Sequence, residues 1–258
     1  MKPRIAAIPG IIFICLVSFN AQAIVNVDSL HIGSSKDGLN GSLSATASGS
    51  SGNTDNSRVK LAMNTQWKHD NRIEILTASH LRGHSLGKVD VDTSFLHTRH
   101  IEGINKIIAA EAFAQIEANR FARLNFRGLA GLGLRFTVGE LTQKQGVYFG
   151  LGGFLAQEDI AEESNTTDAG QNRFVRGNIY LVVQRKISDN VELYTTTYIQ
   201  PSLSKANDLR LLEDLTIKLK VTDKLGIKLS LDISHDSDPP ETVEQTDIQY
   251  ATGLEFKY

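Results

Sequence analysis

The sequence predicts an all-β fold: a single antiparallel transmembrane β-barrel of about twelve strands, an even number, preceded by a cleaved signal peptide. Three observations carry that reading. Apolar and polar residues alternate with period two almost from end to end. The connections between alternating stretches are long and short by turns. The chain ends on a strand whose aromatic residues share one face.

The leader comes first. Lys2 and Arg4 give a short positive region, Ile5 to Phe19 form an apolar stretch, and Ala21-Gln22-Ala23 supplies a small-x-small pattern, so cleavage is expected after Ala23. Pro9 and Gly10 interrupt the apolar run, which is short for a membrane-spanning helix. Cys15 follows Ile12-Phe13-Ile14, which lacks the small residues of a lipoprotein site. The expected organisation is a signal peptide over 1–23 and an outer-membrane barrel over 24–258.

Cys15 is the only cysteine, so the barrel portion holds none, which excludes disulfides and zinc-thiolate chemistry. Losing Lys2 and Arg4 takes the 27 basic residues to 25 against 29 acidic ones, a formal charge of −4. That balance is not the signature of a nucleic-acid binder. Mean hydropathy is −0.17, and no apolar run of spanning length follows residue 23, which excludes a helical membrane protein. A barrel is compatible, because lipid-facing and lumen-facing residues alternate and average out.

Strands are expected near 38–49, 57–69, 72–82, 88–100, 107–120, 124–138, 146–158, 173–186, 190–200, 209–222, 225–235 and 246–258. The clearest places Leu225, Ile227, Leu229, Leu231 and Ile233 on one face, with Lys228, Ser230, Asp232 and Ser234 on the other. Its neighbour sets Leu215, Ile217, Leu219 and Val221 against Asp214, Thr216, Lys218 and Lys220. The alanine-rich stretch from Ile107 to Ala118 suits a helix by propensity. Glu111, Gln115, Glu117 and Asn119 nevertheless fall at odd positions and Ile108 and Ile116 at even ones, so a strand is expected, with Phe113 the exception.

Tight turns are expected at His69-Asp70-Asn71, Ser188-Asp189-Asn190 and Thr222-Asp223-Lys224, where Asp and Asn tolerate turn geometry. Longer connections run over 49–57, 159–172, 201–208 and 236–245. Counted from the first strand, the long connections are odd and the named tight turns even. An even-stranded barrel with its N-terminus in the periplasm has that parity, whereas a soluble sandwich has no reason for it. On the last strand Tyr250, Thr252, Leu254, Phe256 and Tyr258 share a face, and Phe256 and Tyr258 suit the periplasmic interface. Trp67 reads the same way, and a terminal aromatic looks like the insertion signal of outer-membrane barrels.

Two segments resemble the salt-induced outer-membrane protein family, domain of unknown function 481. One is Gly41-Ser42-Leu43-Ser44 leading to Gly52-Asn53-Thr54-Asp55. The other runs Asn119-Arg120-Phe121-Ala122-Arg123-Leu124-Asn125-Phe126-Arg127 and continues to Gly131-Leu132-Gly133-Leu134-Arg135-Phe136. The resemblance implies an outer-membrane barrel and no established chemistry. Gly131 and Gly133 share a face with Arg127 and Arg135, where glycine leaves room inside the wall for a neighbour's bulk or a strand bend.

No catalytic constellation emerges. Asp90-Val91-Asp92 resembles the paired aspartates of omptin proteases, but Asp232 and His235, which would complete such a site, face opposite ways on one strand. His80, His84, His97 and His100, with Ser79, Ser85 and Ser94, contain no motif that singles out a nucleophile. His97 and His100 lie on opposite faces and give no metal spacing. No cofactor is expected, and the chain is expected not to be an enzyme. The acidic loops, with Glu158, Asp159, Glu162, Glu163 and Asp168, then Asp236, Asp238, Glu241, Glu244 and Asp247, read as solvated, with chelation of cations bridging lipopolysaccharide as the sharper alternative.

The lumen is expected to mix signs: Glu74, Glu111, Glu117, Glu192, Asp214, Asp232 and Glu255 against Arg127, Arg135, Arg176, Lys186, Lys218, Lys220 and Lys257. A strongly charge-selective pore usually has one sign in excess. The first function expected is a narrow channel or small-solute porin with weak ion preference. A non-conducting structural or stress-response barrel comes second, and an outer-membrane hydrolase third. Expected partners are outer-membrane lipid and lipopolysaccharide, the barrel assembly machinery during biogenesis, and a small solute or ion.

Overall fold

The computed structural model describes residues 37–50, 55–142 and 145–258; the expected signal peptide and its cleavage after Ala23 lie outside them. Twelve strands follow one another along the chain: β1 (Gly38–Ser50), β2 (Asn56–His69), β3 (Arg72–Ser85), β4 (Lys88–Gly103), β5 (Ile108–Asn119), β6 (Leu124–Thr142), β7 (Gln145–Ile160), β8 (Gly170–Ser188), β9 (Val191–Pro201), β10 (Leu209–Lys220), β11 (Leu225–Asp236) and β12 (Thr246–Lys257). Each is antiparallel to its neighbours in sequence, and β1 meets β12 to close the barrel. The alanine-rich fifth segment is a strand. Its alternation overrides helix propensity, because Glu111, Gln115, Glu117 and Asn119 are buried inside while the intervening Ile108, Ala110, Ala112, Ala114 and Ile116 face outward. Phe113 shares the inward face and packs against Phe154.

Strand ends differ from expectation where the ladder bends. β3 runs on to Ser85 through a register shift at Gly83/His84, and β6 runs past Val138 where Gly139 takes φ +77°. Among the connections, the long segments 161–169, 202–208 and 237–245 all lie at one end, opposite the two-residue turns 70–71 and 189–190. The third connection departs from that parity. Leu86 and Gly87, both at positive φ, close a tight hairpin on the long-loop side.

Strands of about 12 residues, rising about 3.3 Å each at a tilt near 40°, climb roughly 30 Å, enough to cross a hydrocarbon core. The outward faces match that solvent. Leu43, Leu61, Leu132, Leu151, Leu155 and Ile199 are among the large apolar side chains exposed all around the wall. In water such a surface would drive association; in lipid it is the solvated face. The protein is an outer-membrane β-barrel. Among the described residues no helix is long and apolar enough to cross a membrane.

Trp67 is 55% exposed at the short-turn end, beside the β2–β3 turn, and Tyr250, Phe256 and Tyr258 are exposed along the outer face of β12. Tyr258 also helps close the barrel: its backbone exchanges bonds of 3.4 and 3.1 Å with Gly41, and its hydroxyl lies 2.7 Å from Thr65 Oγ1. One expected lumen residue is misplaced by the sequence reading. On β3 the inward residues are Ile75, Thr77 and Ser79, so Glu74 faces out and meets His100 Nδ1 at 2.5 Å. Both sit near the short-turn rim, where charged groups on the outer face are hydrated.

Candidate functional site: the barrel lumen

The lumen holds three tiers of paired charge along one side and a cavity along the other. The mouth on the long-loop side is tied by Arg123. Asn119 Oδ1 accepts from Phe121 N at 3.0 Å and caps a 3-10 turn over Arg120–Ala122, which leaves Arg123 in the left-handed region at φ +56°. The Arg123 guanidinium, 6% exposed, donates to Ala161 O at 2.9 and 3.2 Å, Glu241 O at 2.7 Å and Thr166 Oγ1 at 2.8 Å. It also pairs with Asp168 at 2.7 Å, and Asp168 in turn accepts from Glu241 N at 2.7 Å. Three connections, 120–123, 161–169 and 237–245, are thus fastened to one another. Desolvation pushes the Asp168 carboxyl up, but its bonds from Arg123 and the Glu241 amide outweigh that and hold it below the ordinary carboxylate range.

Beneath the mouth, Arg127 bridges Glu117 and Glu158, Glu158 pairs with Arg210 at 2.9 Å, and Arg210 with Asp236 at 2.7 Å. Arg176 grips Asp208 through 2.6 and 2.8 Å bonds, and the Phe174 ring lies 5.1 and 5.2 Å from the guanidinium carbons of Arg176 and Arg210. The middle tier centres on Glu111. It pairs with Arg135 at 2.5 Å and approaches Arg99 at 3.9 Å, while Arg135 donates to the Tyr180 hydroxyl and that hydroxyl donates to Glu111. At the short-turn end Lys218 pairs with Glu255 at 2.9 Å, and Glu192 accepts from the Tyr194 hydroxyl at 2.7 Å.

Glycines make this density feasible. A Cβ on Gly150 would collide with the Tyr180 ring, and one on Gly131 with the Phe113 ring.

The other side of the lumen is emptier. A recess open to solvent lies against β1–β5 and β10–β12. Its walls are largely small and hydroxylic, including Ser44, Thr46, Thr77, Ser79 and Ser230, and its charges are Lys60, Lys228, Asp214, Asp232 and Glu117.

Of the residues singled out from sequence, Glu111, Glu117, Arg127, Arg135, Glu192, Asp214, Lys218, Asp232 and Glu255 face the interior. Lys220 also faces inward but sits at the rim, half exposed, paired with Asp223. Arg127 and Arg135 meet Glu117 and Glu111, and Glu192 accepts from the Tyr194 hydroxyl. Sequence reasoning missed Arg99, Glu158, Arg210, Lys60 and Lys228 as lumen residues. Lys228 had been placed on the polar face of its strand, whereas Glu158, expected in a solvated loop, is buried on β7 between Arg127 and Arg210. It also missed the role of Arg123, although the resemblance had drawn out that segment. Among the described residues no cluster of His, Cys, Asp or Glu is arranged to hold a metal.

The sequence matches the family described as "Protein of unknown function, DUF481" over residues 43–258. The chain belongs to this family. The match spans all but the first few residues of the barrel and assigns no chemistry to it. No curated protein matches the chain. Among solved structures it is similar to the translocator domain of the autotransporter NalP from Neisseria meningitidis (10% identity, 88% of this chain and 91% of that one, TM-score 0.48). It is also similar to the NanC porin (12% identity, 85% and 100%, TM-score 0.49) and to the KdgM porin in complex with disordered oligogalacturonate (8%, 85% and 99%, TM-score 0.46). Nothing about solute or mechanism follows from likeness at this level.

Proposed function

We propose that this DUF481 barrel is a narrow channel for small solutes with weak ion preference. The observation that carries it is the solvent-open recess along the β1–β5 and β10–β12 wall, lined by hydroxyls and by charges of both signs. Guanidinium–carboxylate pairs fill the opposite side, so the conducting section is narrower than the barrel wall alone would enclose. Lys60 and Lys228 stand against Asp214 and Asp232, which gives a permeating ion no strong bias. The solute is drawn from small polar molecules that hydroxyl-rich walls can solvate.

A second reading is a non-conducting barrel serving envelope integrity, in keeping with the resemblance to salt-induced outer-membrane proteins. The Arg123 tie across the mouth favours it, because a fastened mouth suits a structural part. In both readings a signal peptide over 1–23 directs export, and the partners are outer-membrane lipid and lipopolysaccharide, with the assembly machinery acting during biogenesis.

Planar-bilayer recording of refolded protein separates the two. The channel reading expects discrete conductance steps and a reversal potential near zero in a salt gradient. Protein that inserts but stays electrically silent across several salts would transfer the case to the second reading.

A further inference from the structure

The seam between β1 and β12 is zipped over only part of its length. Its ladder runs from Ser42↔Lys257 to Ala45↔Leu254 and stops. On its other side β1 stays paired with β2 up to Ser50↔Asn56, and β12 stays paired with β11 up to His235↔Thr246. Among the described residues, Thr46–Gly49 and Tyr250–Gly253 are therefore fully laddered on their outer flanks but not to each other. At about 2.5 Å of rise per residue along the membrane normal, this slot begins roughly 15–20 Å above Leu39, in the leaflet on the long-loop side. An unpaired backbone edge at that depth is costly unless water or a ligand satisfies it.

The slot opens onto the cavity already described. Ser44 and Thr46 from β1 and Gln249, Ala251 and Gly253 from β12 belong to the cavity wall. The side chains at the gap are small, so nothing bulky plugs it from within. Its outer flanks are apolar, with Leu43, Leu61, Leu254 and Ile248 exposed to the acyl chains.

The lower end of the slot carries a cationic row. Lys60 stands opposite Thr46 in the β1–β2 ladder, and Lys228 stands opposite Gly253 in the β11–β12 ladder. Gly253 lies against Thr46, since a Cβ there would collide with Thr46 Oγ1. Lys60, Thr46, Gly253 and Lys228 thus form one inward row across four strands where the ladder ends. Neither lysine forms an ion pair within 4.0 Å among the described residues. Asp232 and Asp214 act on Lys60 from across the cavity, and Asp232 lies four residues further up β11 than Lys228.

We propose that the β1–β12 slot is a lateral portal that takes a single-chain amphiphile with an anionic head from the outer leaflet, its chain in the slot and its head between Lys60 and Lys228. The portal acts sideways through the wall and holds whether or not the lumen conducts ions.

Photo-crosslinking tests it on full barrels in vesicles of zwitterionic lipid, with a diazirine-bearing fatty acid in one arm and the matching alkyl phosphate in the other. Adducts should concentrate in residues 44–50 and 249–253, and excess unlabelled amphiphile should compete while inorganic phosphate should not. Preference between the arms identifies carboxylate or phosphate as the head. Lys60→Gln with Lys228→Gln should lower this labelling about tenfold, the loss expected for two charge-assisted contacts, while Lys60→Arg with Lys228→Arg retains it. Should the Gln pair fail to fold, the Arg pair and the map of adducts still decide. Adducts spread around the belt in proportion to apolar exposure, or undiminished in a folded Gln pair, would overturn the portal.

Discussion

Arg123 concentrates four hydrogen bonds and two ion pairs, to Glu163 and Asp168, on one guanidinium, reaching partners as far along the chain as Glu241. The Asn119–Arg123 segment could be singled out from sequence by its resemblance, whereas the capping role of Asn119 emerges only in the structure. Its task could not be read, because the groups it joins come from loops whose packing no local pattern encodes. Arg123→Ala should free both long loops, so a glutamate-specific protease should cut near Glu163 and Glu241 about tenfold faster, by lowering the cost of local opening, with the barrel still folded. Unchanged cleavage would mean the loops are held by other contacts. The pH dependence has a definite sign. The carboxyl of Asp168 is depressed in the folded state, so its contribution is complete above the ordinary carboxylate value and lost as pH falls through the depressed one. Cleavage of the wild type should therefore accelerate only in acid below the usual carboxylate range, and Asp168→Asn should abolish that step.

Strands were the most legible level. Period-two alternation placed every one of them, even the alanine-rich β5, because an inward row of Glu111, Gln115, Glu117 and Asn119 has no helical equivalent. Alternation could not foresee the bend at Gly83/His84 or the continuation past Gly139, since a bulge depends on the partner strand. It also misassigned Glu74, where a charged residue at the rim is tolerated on the outer face and polarity ceases to report direction. β11 gives the sharpest test of register. Leu229 faces lipid and its neighbour Ser230 faces the cavity. Leu229→Arg should cost about 2–4 kcal/mol in bilayer unfolding titrations, as a lipid-facing cation near the midplane does, whereas Ser230→Arg should fold normally. Equal damage from both substitutions would show that the assigned faces of β11 are wrong.

At the scale of the molecule, closure followed from loop parity, the terminal aromatic strand and the absence of spanning helices, all of which are sequence properties. The asymmetry of the lumen did not. It arises because arginines on β4, β6, β8 and β10 find their carboxylates across strands and loops, as Arg176 finds Asp208 and Arg210 finds Glu158, and these pairings depend on barrel curvature. The arginine pairs centred on Glu158 and Glu111 crowd one side and leave the hydroxyl-lined side more open. Permeation along that open side is the central functional claim. The most direct measurement of it is single-channel current through a protein of residues 24–258, a stretch free of cysteine, carrying Ser230→Cys and treated with a bulky water-soluble thiol reagent. The account predicts that modification cuts the current to a small fraction of its starting value. Full current after complete modification of Cys at that position would contradict it.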